Sequence, residues 1–155
     1  MTNTIVETGQ GKIALVVLGM HRSGTSAMAG LLARNGAALP DNLMAPGADN
    51  PTGFWESADV AELNDKILAE RDSRWDDVFS GVSPPLTELR DPDLINQARA
   101  LIDSHFANAQ LIVLKDPRVS VLGKFWHAAL EAAGYEPRRS EEHTSELQSP
   151  CNLVC

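Results

Sequence analysis

Gly19-Met20-His21-Arg22-Ser23-Gly24-Thr25-Ser26 sets two glycines ahead of a pair of hydroxyl side chains, a spacing that suits the binding of phosphate. The frame G-x-x-x-x-G-K-[ST] works because its glycines let backbone N–H groups converge on phosphate oxygens, with a helix N-terminus adding its positive dipole end. Every defined position fits except one: Thr25 stands where the frame has lysine. An anion cradle survives, but the lysine of nucleoside triphosphatases does not. A positive side chain is present three residues earlier, at Arg22.

Other residues able to do chemistry lie further along. Lys115 directly follows the apolar run Gln110–Leu114, which puts it at the carboxyl edge of a sheet, where ligands of open α/β folds bind. Arg118 follows in the same turn, beside Asp116. His21 is a candidate base by residue type, and reads rather as a residue that packs in the loop or neighbours a phosphate. Trp55 and Trp75 are candidates for lining an acceptor pocket, while Trp126 falls on a helix and suits the core.

These residues need elements to hold them. Lys12–Leu18, short, apolar and rich in β-branched residues, reads as a strand buried on both faces of a parallel sheet. After the glycine turn, Ser26–Asn35 places Met28, Leu31 and Leu32 at helical spacing, with Gly36 as a stop. Residues 37–57 hold three prolines and two glycines and read as a long loop or lid. Ser57 caps a helix from about Ala58 to Arg71, with Val60, Leu63, Ile67 and Leu68 on one face. Asp91-Pro92 opens another, to about Ala107, with Leu94, Ala98, Leu101 and Ile102 inward. Gln110–Leu114 is a second buried strand, Lys115–Ser120 a polar turn, and Val121–Ala133 a helix closed by Gly134. Strands alternating with helices imply parallel units with right-handed crossovers. The expected class is α/β, a three-layer parallel sheet of P-loop type flanked by helices.

Composition sets the outer bounds. At 155 residues, 43% apolar and 22% charged, the chain is the size of one globular domain. A net charge of −8 argues against nucleic acid or an anionic membrane as partner. No membrane span and no signal peptide are visible, so the expected location is cytoplasmic. Both cysteines, Cys151 and Cys155, lie in the last five residues, so the body has neither a disulfide framework nor a thiolate metal site.

Three blocks, VVLGMHRSGTS (Val16–Ser26), DNPTGFWES (Asp49–Ser57) and LKDPR (Leu114–Arg118) with Phe125-Trp126, resemble successive segments of the bacterial sulfotransferase family. The resemblance covers about residues 12–138 and implies a sulfuryl donor, 3′-phosphoadenosine 5′-phosphosulfate, with no metal. By it, Arg22 binds the bridging and leaving oxygens, and Gly19, Ser23, Gly24, Thr25 and Ser26 belong to the loop that holds the 5′-phosphate. Lys115 touches the sulfuryl group, with a solvated lysine beside Asp116 and Arg118 as the alternative, and Arg118 either faces the ligand or pairs locally with Asp116 or Glu56. Cytosolic members carry a histidine two residues after the strand lysine, where this chain has Pro117. Glu56 is then the candidate base, by analogy with relatives that use a glutamate after the phosphate loop. The acceptor is a hydroxyl or amine of a small molecule, glycan or lipid.

Residues 139–149, Arg-Ser-Glu-Glu-His-Thr-Ser-Glu-Leu-Gln-Ser, resemble the translation of a common short-read sequencing adapter. The expected division is a partial sulfotransferase domain over 1–138 and a non-native, disordered tail over 139–155. In the family, a further strand and turn at that point bind the 3′-phosphate through an Arg and a Ser. Their replacement is expected to leave a sheet edge unpaired and the fragment inactive. Two other functions stay open: a P-loop nucleotide or sugar kinase, which the absent lysine disfavours, and a non-catalytic anion-binding module.

Overall fold

The computed structural model describes residues 11–19, 23–47, 50–51, 53–74, 89–106 and 109–141. His21, Arg22 and Trp75 lie outside the described residues. Strand β1 (Lys12–Leu18) leads to helix α1 (Thr25–Arg34), then α2 (Ala58–Ala69), α3 (Pro92–His105), β2 (Leu111–Lys115), a 3-10 turn (Pro117–Ser120), α4 (Gly123–Ala132) and β3 (Tyr135–Glu141). The sheet order is β2-β1-β3, with both neighbours parallel to β1.

Helices pack on both faces of the sheet, because residues along a strand alternate sides. Ala14 and Val16 of β1, with Ile112 and Leu114 of β2, join the larger core under α2, α3 and α4. Leu15 and Val17, with Val113, face the smaller core under α1, where Ala29, Met28 and Leu32 meet them. A strand covered on both faces has no polar side, which is why β1 and β2 read as continuous apolar runs. The α/β class and the layered arrangement agree with expectation.

The caps behave as their chemistry requires. The Ser57 hydroxyl accepts from Val60 N–H at 3.2 Å, and the Asp91 carboxylate from the N–H groups of Asp93 and Leu94 at 2.9 and 3.3 Å. Asp116-Pro117 repeats the Asp91-Pro92 device: its carboxylate accepts from Arg118 N–H at 2.8 Å and starts the 3-10 turn. That turn delays α4 to Gly123, two residues beyond the expected Val121.

The sheet edge beside β1 differs from expectation. Tyr135–Glu141 pairs with β1 along its whole length, Lys12 opposite Tyr135 and Leu18 opposite Glu141. The strand passes Arg138 and takes in Arg139, Ser140 and Glu141, where disorder was expected; residues 142–155 lie outside the described ones. Parallel pairing uses backbone groups alone, so the open edge of β1 accepts an extended segment with little regard to its side chains. Tyr135 fixes the start, its hydroxyl donating to the Ala109 carbonyl at 2.8 Å.

His105, the last residue of α3, ties three segments together. Its Nδ1 lies 2.5 Å from Asp41 Oδ1 and its Nε2 2.7 Å from Asp59 Oδ2. A ring facing carboxylates on both nitrogens donates from both only as imidazolium. Burial pulls the His105 pKa down, but hydrogen bonds and charge from Asp41 and Asp59 outweigh it, leaving it above the ordinary 6.5. A raised folded pKa stabilises fully below the unfolded value and loses that contribution as pH rises through the folded value. Wild type is therefore expected to exceed His105→Asn in melting temperature most clearly below about pH 6.5, with the gap fading in alkali. Because Asp41 is mostly exposed, the gain stays below about 1 kcal/mol. Paired melts across that range check it, and a gap that widens with pH means the ring is held neutral.

Candidate functional site

Parallel strands end on one side of a sheet, so β1 and β2 deliver Leu18-Gly19 and Lys115 to the same edge. Gly19 starts the loop with φ 156°, and its N–H donates to Ser120 Oγ at 3.1 Å, which ties the loop to the end of the 3-10 turn. A Cβ on Gly19 would stand 2.7 Å from both Ser23 Oγ and Thr25 Cγ2, so only glycine lets the loop close this tightly. Gly24, at φ 89°, is the N-cap of α1 and supplies no side-chain acceptor to the first-turn N–H groups. Those groups point out of the helix start, where an anion is a natural partner. The start of α1 thus offers N–H donors that carry no side-chain cap, a polarity suited to an anion.

Lys115 is 5% exposed, and its ammonium has an acceptor for each of its protons. Nζ donates to the Glu56 carboxylate, to the Phe54 carbonyl at 2.9 Å and to Ser26 Oγ at 3.4 Å. Ser26 lies in the first turn of α1 and also contacts the Phe54 carbonyl, at 3.5 Å. Glu56 is equally buried and precedes the capping Ser57, so the start of α2 anchors it; its own carbonyl accepts from Met44 N–H at 2.8 Å. Of the expected site residues, Ser26, Glu56 and Lys115 therefore meet in one cluster. Thr25 is buried beside them in sequence, Gly19, Ser23 and Gly24 form the described part of the loop, and Arg22 lies outside the described residues.

Arg118 is engaged elsewhere. Its Nε and Nη2 donate to Asp65 at 2.6 and 3.0 Å, and its Nη1 to Asp116 at 2.9 Å. Of the two local partners expected, Asp116 is found and Glu56 is held by Lys115 instead. Asp116, 1% exposed, also accepts from Asn64 Nδ2 at 3.2 Å, and Asn64 Oδ1 in turn accepts from Trp126 Nε1 at 2.8 Å. Trp126 is fully buried against Phe125, as its place on a helix implied.

Sequence reading did not find Asn64, Asp65 or Ser120, and their partners lie 52, 53 and 101 residues away. Asp116 carried a usable signal, the proline after it. Among the described residues, no group of three or more His, Cys, Asp or Glu is placed to hold a metal ion, and no helix is long and apolar enough to cross a membrane. The chain matches no protein-family profile, no curated protein and no solved structure.

Proposed function

We propose that the chain is the donor-binding front part of a sulfotransferase that moves a sulfuryl group from 3′-phosphoadenosine 5′-phosphosulfate to a hydroxyl or amine. The observation that carries this reading is the meeting of Ser26, Lys115 and Glu56 at the sheet edge, directly beside the glycine loop. A cation, a carboxylate and a phosphate cradle in one place are what sulfuryl transfer needs. The acceptor oxygen attacks sulfur in line, a new S–O bond forms, and the bond to the leaving phosphate oxygen breaks.

Negative charge then gathers on the leaving phosphate oxygen, and the family resemblance gives Arg22 and the loop N–H groups the task of meeting it. Lys115 holds the sulfuryl oxygens, exchanging its long contact to Ser26 for the ligand. Glu56 takes the acceptor proton, which requires the acceptor within hydrogen-bond reach of its carboxylate. The P-loop form of the α/β fold, cytoplasmic location and an acceptor from the small-molecule, glycan or lipid classes belong to the same proposal. So does the origin of the tail in adapter sequence, which takes the place of the segment expected to bind the 3′-phosphate.

Calorimetric titration with adenosine 3′,5′-bisphosphate tests it, on a chain whose residues from Arg139 are replaced by the true downstream reading frame. Binding is expected, and Arg22→Ala should weaken it about tenfold or more, since a charge-assisted contact to phosphate is lost. A folded protein that ignores this nucleotide and binds ATP instead would sink the proposal in favour of a kinase-like enzyme.

A further inference from the structure

Between the two groups that residues 54–56 present to Lys115 stands Trp55, held in the left-handed backbone region at φ 60°. Bulky side chains avoid that region, and where they occupy it the surroundings must enforce it. Here the reversal at Trp55 lets the carbonyl before it and the carboxylate after it converge on one ammonium. Its indole is seated on α1 at Gly30: a Cβ there would stand 3.4 and 3.5 Å from ring atoms Cζ2 and Cε2. At those distances the ring lies within van der Waals reach of the helix at this position. Four residues before Gly30 on the same helix is Ser26, the third acceptor of Lys115. One helix therefore carries both the seat of the indole and a member of the cluster.

We propose that Trp55 is a positioning residue: its left-handed turn and its seat on Gly30 hold the Phe54 carbonyl and the Glu56 carboxylate on Lys115, beside Ser26. Its consequence for turnover rests on the sulfotransferase reading, but the positioning itself does not. A role in packing alone is the rival, because Trp55 also borders the smaller core. The two differ in whether Lys115 is released while the fold stays intact.

The test is brief acetylation of the native chain by an N-hydroxysuccinimide ester, with Lys115 and the exposed Lys66 compared by peptide mass spectrometry. Lys115 in wild type is expected to react about tenfold or more slowly than Lys66, through local opening. Trp55→Phe keeps a flat ring on Gly30 and should stay within about twofold of wild type. Trp55→Val, branched at Cβ and averse to left-handed backbone, should raise the Lys115 rate about tenfold with Lys66 unchanged. Equal protection of Lys115 in folded Trp55→Val overturns the proposal and leaves packing alone. If that variant loses its helical circular dichroism, Trp55→Ala decides, because it removes the ring from Gly30 without a branched Cβ: about a threefold or greater rise at Lys115 supports the positioning, and no rise in the folded variant overturns it. No arm uses a nucleotide, so a failed nucleotide titration counts against the sulfotransferase reading and not against this one.

Discussion

Lys115→Met alone is expected to cost about 3–5 kcal/mol of folding stability, and Glu56→Leu alone a similar amount, while the double variant recovers most of the loss. Each single change leaves one ion buried at 5% exposure with its counter-charge gone. Removing both takes away two charges whose desolvation roughly cancelled their attraction, and leaves side chains of similar volume in their place. The Phe54 carbonyl loses a donor in the double variant, so a residue of about 1 kcal/mol should remain. Urea unfolding of the four proteins supplies the cycle, and a double variant costing the sum of the singles would show that the two groups do not act as a pair.

The same pairing bears on binding. An ammonium neutralised by Glu56 adds little net charge to attract a ligand, so under the sulfotransferase reading the draw on the anion comes from Arg22 and the loop N–H groups. Lys115 then acts on the group being transferred rather than on affinity. On that basis, loss of Lys115 should lower turnover more than nucleotide affinity, and loss of Arg22 should lower both.

Much of the scaffold was legible because its signals are local. β1 and β2 are apolar but for one terminal lysine each, Lys12 and Lys115, as strands covered on both faces must be. α2 and α3 announce themselves by Ser57 and by Asp91-Pro92. β3 was not legible: Tyr-Glu-Pro-Arg-Arg-Ser-Glu carries no alternation and little apolar surface, and its place comes from the open edge of β1. The site divides in the same way. Lys115 was placed at the sheet edge by the strand before it, and Glu56 was named by analogy, yet nothing local foretold that they pair across 59 residues of sequence. The resemblance gives each a separate role, one on the sulfuryl group and one as base, and implies no contact between them. Arg118 shows the converse, since Asp116 two residues away was visible but Asp65 was not.

The second large effect separates those two carboxylates on one arginine. Asp116→Ala is expected to cost about 3–5 kcal/mol, and Asp65→Ala less than about 1 kcal/mol. Asp65 is half exposed, so water replaces it readily, and the arginine keeps its inner partner. Asp116 has no exposed side-chain surface and satisfies three donors at once: Arg118 N–H, Arg118 Nη1 and Asn64 Nδ2. Without it, the 3-10 turn loses its cap, and Asn64, which accepts the Trp126 indole N–H, loses the group that orients it. Asp116→Asn keeps an acceptor and the shape but not the charge, and should fall between the two. Urea midpoints rank the three variants. Equal losses at Asp65 and Asp116 would mean that Asp116 is not the inner anchor of Arg118. A near-silent Asp116→Ala would go further, because an arginine held only by an exposed carboxylate is free to swing to an anionic ligand. The expected ranking instead fixes Arg118 as the brace of the turn that carries Ser120, and through it the first N–H of the glycine loop.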